Sequence, residues 1–390
     1  MIHFHKLLVF VLLFLFFQNH YTQNIETQLG NGIDINNPEI NEIFSLWKNY
    51  LSSNPDEIYD NPYWNKKEKN EYVSYDLLKS EGFLNPSLYG LHPKNIVLYI
   101  KKENDYYIIN SLYYWITEDN QVYPLAITNV VAKKELGKFK LYNQLSYNTS
   151  TWSSKQIGLL EYYYYPDYKF NHKKAIKANK FLKNLFDLFG IEKTSIKYYI
   201  ARNCDDIHKI KGLEYVITMG QIPNICAFYD TFNNIIYTTE DSGAFHEHEL
   251  IRSINSSYPE AHSILLSGLS VYTDSDNSHL GKPLLFHLKK LKHRIDLNPH
   301  LDLKDWDSIK SEDLLSEPYY IIGAIMVDFI LEKGGIDCLK KSLNAGTSNE
   351  GIYNFFKEEF DIKEQDLGSI LKKRLYKLAM EDKMKFFIVL

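Results

Sequence analysis

The chain has 390 residues, 45% hydrophobic and 24% charged, which excludes a disordered or low-complexity protein and leaves room for about two or three domains. Its 44 Lys and Arg against 49 Asp and Glu give a net charge of -5, so no general basic field exists and nucleic acid is not an expected partner. Only four of the cations are arginines, Arg202, Arg252, Arg294 and Arg374, which makes each a position to account for.

Lys6 precedes an unbroken apolar run from Leu7 to Phe17, and Gln18 turns polar at once, the layout of a secretory signal peptide. A membrane span needs roughly 20 apolar residues, so this run is too short for a comfortable permanent anchor. Residues 1–24 are expected to direct export and to be removed near Thr22 to Asn24, with an uncleaved anchor as the alternative. No cysteine follows the run, which argues against a lipid anchor, and no later segment approaches membrane-spanning length. The mature chain is therefore expected in the periplasm or outside the cell, without stable membrane insertion.

Residues 25–38 are rich in Asn and Gly and read as a flexible linker. Ile40, Ile43, Phe44, Trp47 and Leu51 recur at helical spacing after Pro38, and a second helix is expected from Lys67 to Ser80. From Ile96 to about Pro166 the pattern changes to β-branched and aromatic runs separated by polar turns such as Lys102-Glu103-Asn104-Asp105. Helices followed by an antiparallel meander predict an α+β domain over residues 39–168. Its many tyrosines could line a small-ligand mouth, although tyrosines on a sheet face more often serve packing.

Asn171 is placed to cap a helix that runs to about Leu188 and ends at Gly190. It opens a second domain over residues 169–390, with strands at Ile196 to Arg202, Tyr215 to Met219 and Asn234 to Thr239. Beyond these the pattern is helical: Ala244 to Asn255, Ser263 to Tyr272, Leu284 to Asp296, Pro318 to Lys333, Ile336 to Asn344, Glu350 to Glu359 and Lys363 to Asp382. Three cysteines, Cys204, Cys226 and Cys338, are too few for a disulfide framework. A Cys204–Cys226 bridge would need an oxidising compartment, and buried apolar packing is the expected role.

Thirteen histidines are present, and seven of them, from His246 to His300, fall within 55 residues. The sharpest cluster is Phe245-His246-Glu247-His248-Glu249-Leu250-Ile251-Arg252, on the helix that follows the strand Asn234 to Thr239. Two histidines four apart on a helix aim two imidazoles at one zinc ion, and the Glu between them takes a proton from metal-bound water. Here His248-Glu249-Leu250-Ile251 supplies the first four positions of H-E-x-x-H and Arg252 stands at the fifth. His246 is two residues from His248 and points elsewhere on a helix. His262 and His279 are expected at the surface or behind the site. Asp274, Asp276 and Asn277 lack the Gly and terminal Glu of an EF-hand loop and read as a solvated loop.

With the later segment Ile264-Leu265-Leu266-Ser267-Gly268-Leu269-Ser270-Val271-Tyr272, this pattern resembles the gluzincin metallopeptidases of the peptidase MA-like type. In that family a Glu-Gly-Leu-Ala stretch on the next helix gives the third zinc ligand, and the matching position here is Ser267. Glu317-Pro318-Tyr319-Tyr320-Ile321-Ile322-Gly323-Ala324 through Gly334-Gly335-Ile336 is similar to the family's helical subdomain, so the resemblance spans roughly residues 170 to 380. It implies an α+β fold with a small sheet, an active-site-type helix and a helical C-terminal part, in a member that lacks two of the three zinc ligands.

The leading expectation is an exported pseudopeptidase that holds a peptide or protein partner without hydrolysis and needs no cofactor. Arg252, His246 and Ser267 are the candidate binding residues, and His248 is a vestigial metal position. The rival is an active zinc metallopeptidase with Glu249 as general base, His248 as one ligand, and others drawn from His246, His262 or Glu260. A third reading places small-ligand binding on the N-terminal sheet. No G-x-S-x-G elbow, phosphate-binding glycine loop or dinucleotide fingerprint appears.

Overall fold

The computed structural model describes residues 25–53, 61–72, 76–78, 93–217, 219, 227–273, 282–311 and 317–382. The expected export signal, His279 and the Asp274, Asp276, Asn277 loop lie outside them. The chain divides into one unit formed by the residues up to Tyr147 with Lys211–Ile217, and another formed by Asn148–Ile210 and Thr218–Leu390. Both mix helix and sheet, as the α+β expectation requires.

In the first unit, β1 (Thr27–Leu29), β2 (Lys94–Glu103), β3 (Tyr106–Ile116), β4 (Val122–Glu135) and β5 (Lys138–Tyr142) form a sheet in that order, and β9 (Leu213–Val216) joins β4. The β2 to β5 connections are antiparallel hairpins. The β4–β5 turn is only two residues, Leu136 and Gly137, both at positive φ, as a tight hairpin demands. Helix α1 (Pro38–Leu51) starts where the Asn37 side chain accepts from the Glu39 and Ile40 amides, with Pro38 in the first turn. It buries Ile43, Leu46, Trp47, Tyr50 and Leu51 in one cluster with Val97, Ile109, Val130 and Leu141 of the sheet. Trp47 Nε1 donates to Asn95 Oδ1 at 3.2 Å, so the buried indole keeps a partner.

Two expectations change here. The stretch read as a flexible linker includes β1, which pairs in parallel with β2, and Ile25 is buried against that sheet. The helix expected over Lys67 to Ser80 is the short α2 (Lys66–Glu71), capped by Asn65. Of the sheet tyrosines, Tyr107 and Tyr113 lie in the core, Tyr106 packs on Tyr147 with ring centres 4.6 Å apart, and Tyr99 and Tyr123 are exposed.

In the second unit the sheet order is β10 (Phe228–Asp230), β11 (Ile235–Thr239), β8 (Ile196–Ala201), β7 (Leu160–Tyr164), β6 (Ser153–Ile157). The three central strands are parallel and both edges antiparallel. Sequence reading placed β6 and β7 in the first domain, but β7 pairs with β8, so the expected boundary at residue 168 falls too late. Helix α3 (His172–Phe189) is built as predicted: Asn171 accepts from the Lys174 amide and Gly190 ends it at φ 70. After α4 (Cys204–Lys211) and the strands come the short α5 (Glu247–Ile251), a 3-10 turn (Arg252–Ser257), α6 (Ser263–Thr273), α7 (Leu284–Leu297), α8 (Pro318–Ser342), α9 (Asn349–Phe360) and α10 (Glu364–Ala379). Helix α8 merges two expected helices and is broken at Gly335, whose φ is 67.

Two buried features fix the helical part. Helices α6 and α8 touch backbone to backbone, because a Cβ on Gly268 would sit 2.1 Å from the Gly323 carbonyl carbon, and one on Gly323 would sit 2.1 Å from the Ile264 oxygen. On α10, the buried Arg374 pairs with Asp328 and, at 2.6 Å, with Glu332 of α8. Hydrogen bonds from Arg374 and Lys377 hold Glu332 down at about 2.

Cys204 is disulfide-bonded rather than a buried apolar thiol, while Cys338 is a buried free thiol. Cys226, the remaining cysteine, lies outside the described residues. Among the described residues no helix is long and apolar enough to cross a membrane.

The α6–α8 contact leaves no room for a methyl group. Gly268→Ala should lose about 2 kcal/mol or more of unfolding free energy in a urea titration, since neither backbone can withdraw without moving a whole helix. A variant as stable as the parent would show that the two helices are not in backbone contact.

Candidate functional site

The loop before α5 is pinned from below by two buried tyrosines. Tyr162 of β7 donates its hydroxyl to the Ala244 carbonyl at 2.9 Å, and Tyr198 of β8 donates to the Gly243 carbonyl at 3.0 Å. Gly243 has φ 65, and a Cβ there would lie 2.8 Å from the Tyr168 hydroxyl. The chain thus leaves β11 in a fixed direction and enters α5 at Glu247.

Helix α5 is shorter than the expected Ala244 to Asn255. Ser253 Oγ donates to the Leu250 carbonyl at 2.7 Å, and the run Ser253-Ile254-Asn255-Ser256-Ser257 is poor in helix formers, so the chain tightens into a 3-10 turn at Arg252. His248 and Arg252 nevertheless stay on one side. Both line a cavity of about 30 Å³ whose other walls are Asn255, Leu266, Ser267, Ser270 and Tyr320. Thus His248, Arg252 and Ser267, the three positions that the family resemblance equates with zinc ligands, meet at one small cavity.

Tyr320 was missed by sequence reading, which treated Pro318 to Lys333 as a plain helix. The signal that could have found it is the pair of glycines: Gly268 follows Ser267, and Gly323 is one turn after Tyr320, so their contact brings Ser267 and Tyr320 together. These two side chains hydrogen-bond. Burial and the nearby Glu317 raise the Tyr320 pKa, and Arg252 opposes that rise.

The remaining predicted residues do other work. Glu249 is buried and does not line the cavity. Its carboxylate accepts from the Tyr229 amide of β10 and lies 3.6 Å from the Arg252 guanidinium, so it ties α5 to the edge strand. Burial raises its pKa to about 7 despite the opposing pull of Arg252. His246 precedes the first turn of α5, and its buried Nδ1 has no hydrogen-bond partner. Desolvation lowers its pKa to about 4. His262 is buried, not at the surface. Its Nδ1 accepts from the Ile264 amide at 3.1 Å and its Nε2 meets Asn349 Oδ1 at 2.8 Å, so both ring nitrogens are engaged in starting α6 and tethering α9. Glu260 is exposed in the turn before α6.

A protein zinc site takes three protein ligands of imidazole, thiolate or carboxylate type. The cavity offers one imidazole, His248, beside a guanidinium that stays protonated and a neutral hydroxyl at Ser267, so its donor set does not fit zinc. Among the described residues no group of three His, Cys, Asp or Glu is placed to hold a metal. A larger groove of about 480 Å³, walled by residues such as Phe189, Asn234, Ser256 and Asn344, has Glu192 as its only carboxylate and contains none of the predicted site residues.

No known family profile matches the chain, and no curated protein does. Among solved structures, the chain is similar to a two-domain M1 zinc metallopeptidase bound to L-arginine, at 11% identity and a TM-score of 0.29 over 75% of this chain and 63% of that one. It is similar as well to the M1 zinc metallopeptidase from Deinococcus radiodurans, at 11% identity and a TM-score of 0.28, over 75% of this chain and 64% of the other. The chain therefore spans less than two thirds of these proteins' length, and such scores do not by themselves establish a common fold.

The buried Glu249 gives a pH signature. Its folded pKa, about 7, lies above its ordinary value of 4.5, so the folded state holds the proton more tightly and stability falls as pH rises from about 4.5 to about 7. Glu249→Gln keeps an acceptor for the Tyr229 amide without that ionisation. Relative to the parent, the variant should gain about 2 to 3 kcal/mol of unfolding free energy between about pH 5 and about pH 8 in urea titrations. A constant difference across that range would contradict a raised Glu249.

Proposed function

We propose that this protein is an exported pseudopeptidase with a gluzincin-like second unit, which binds a peptide or protein partner at the former metal position without hydrolysing it. One observation carries the reading: His248, Arg252 and Ser267 converge on a single cavity although they come from α5, the 3-10 turn after it and α6, as three ligand positions of a metallopeptidase would. The frame of a metal centre is kept while two of its three positions carry groups that cannot coordinate.

The chemistry follows from the substitutions. Without a metal ion there is no Lewis acid and no activated water, and Glu249 faces the edge strand and Arg252 rather than the cavity. The guanidinium of Arg252 supplies a fixed positive charge in place of the ion. Export is supported by the N-terminal charge and apolar pattern and by the disulfide at Cys204, since such bonds persist in oxidising compartments.

The substitutions can be reversed. Arg252→His combined with Ser267→Glu should retain about one equivalent of zinc through dialysis, measured by elemental analysis, whereas Arg252→His alone should retain none and show no proteolysis. Strong zinc-dependent proteolysis by the single variant would refute the reading. Failure of a folded double variant to bind zinc would show that the three positions do not have ligand geometry.

A further inference from the structure

We propose that the cavity at Arg252 is a carboxylate site and that it takes the C-terminal carboxylate of a bound peptide. The inference rests on the peptide-binding reading above and names the group that is recognised.

Six of the seven wall residues carry hydrogen-bonding side chains, and Leu266 alone is apolar. Arg252 is the only cation among them that is charged at every working pH. Its ion pair with Glu249, at 3.6 Å, is longer than a hydrogen bond, and its side chain is 40% exposed, so the guanidinium fork retains donors for a ligand. Asn255, half-buried on the next turn, adds an amide to the same wall. The Ser267 hydroxyl and the Tyr320 phenol stand opposite, held in register by the Gly268–Gly323 contact.

Size and charge select the ligand. A water needs roughly 10 to 15 Å³ of such space, so about 30 Å³ accommodates the two oxygens of a carboxylate but not the four of a phosphate. A single guanidinium matches one negative charge, and its planar fork matches a carboxylate in two parallel hydrogen bonds. A chain terminus reaches into a small cavity end-on, which a mid-chain segment cannot do.

The test uses the full mature chain immobilised and exposed to two pools of random hexapeptides, one with free C-termini and one C-terminally amidated, with retained peptides quantified by mass spectrometry. The free-acid pool should be retained at least ten-fold better. Arg252→Gln should abolish that preference, and Arg252→Lys, which keeps the charge but loses the fork, should restore only part of it. A thermal melt of each variant confirms that it is folded. Equal retention of both pools, unchanged in Arg252→Gln, would overturn the carboxylate site while leaving the peptide-binding reading intact. Retention of neither pool would overturn the peptide-binding reading itself and this proposal with it. Stabilisation of the parent but not of Arg252→Gln by acetate, with no peptide retained, would show a site for small free acids and overturn the peptide source.

Discussion

The arrangement of the second unit depends on one steric constraint, the backbone contact between α6 and α8 at Gly268 and Gly323. Helices usually pack with axes about 8 to 10 Å apart, a distance set by the side chains between them. Where neither helix carries a side chain at the crossing, they close until backbone meets backbone. Ser267 precedes one glycine and Tyr320 lies a turn before the other, so the contact also decides which groups face Arg252 and His248. The same crossing sits within the largest hydrophobic cluster, in which Leu265, Leu269, Ile322 and Ile325 are fully or almost fully buried. Fold and site thus share one support.

In a metal centre the cation balances the carboxylate beside it. Here Glu249 is buried against Arg252 and an edge-strand amide, and its raised pKa shows that the guanidinium does not fully offset the desolvation. Each arginine singled out by its rarity has a definite place. Arg374 is a buried clamp between α10 and α8, Arg202 lies over the Tyr165 ring at 4.5 Å, Arg294 donates to the Lys310 carbonyl at 2.6 Å, and Arg252 lines the cavity. Of the four, Arg252 lines a cavity whose walls are mostly polar.

The sequence was most legible where local chemistry decides the structure. The α3 boundaries followed from a capping Asn171 and a left-handed Gly190, and the meander from β2 to β5 from β-branched and aromatic runs separated by polar turns. His248 and Arg252 could be marked from the H-E-x-x-H spacing, whereas Ser267 came only from the family resemblance. What stayed hidden was short or non-local. Strand β10 has three residues, too few to show a period, and β6 reads Ser-Ser-Lys-Gln-Ile, a polar edge with no apolar face. The parallel pairing of β7 with β8 spans the intervening α3, so no local pattern could move the domain boundary. Tyr320 sat unnoticed in a helix buried nearly all round, where every aromatic looks like core. His262 looked like a loop histidine, and its local bond from the Ile264 amide and its tertiary partner Asn349 show it as a buried cap.

The most direct test of the account is the metal content of the purified mature protein, by elemental analysis after dialysis without chelator, beside a His248→Ala control. With one imidazole and a guanidinium at the cavity, the account predicts far less than one equivalent of zinc in a folded protein, and no difference between parent and control. Near-stoichiometric zinc that disappears in His248→Ala would contradict it and make the cavity a metal centre with ligands not yet assigned.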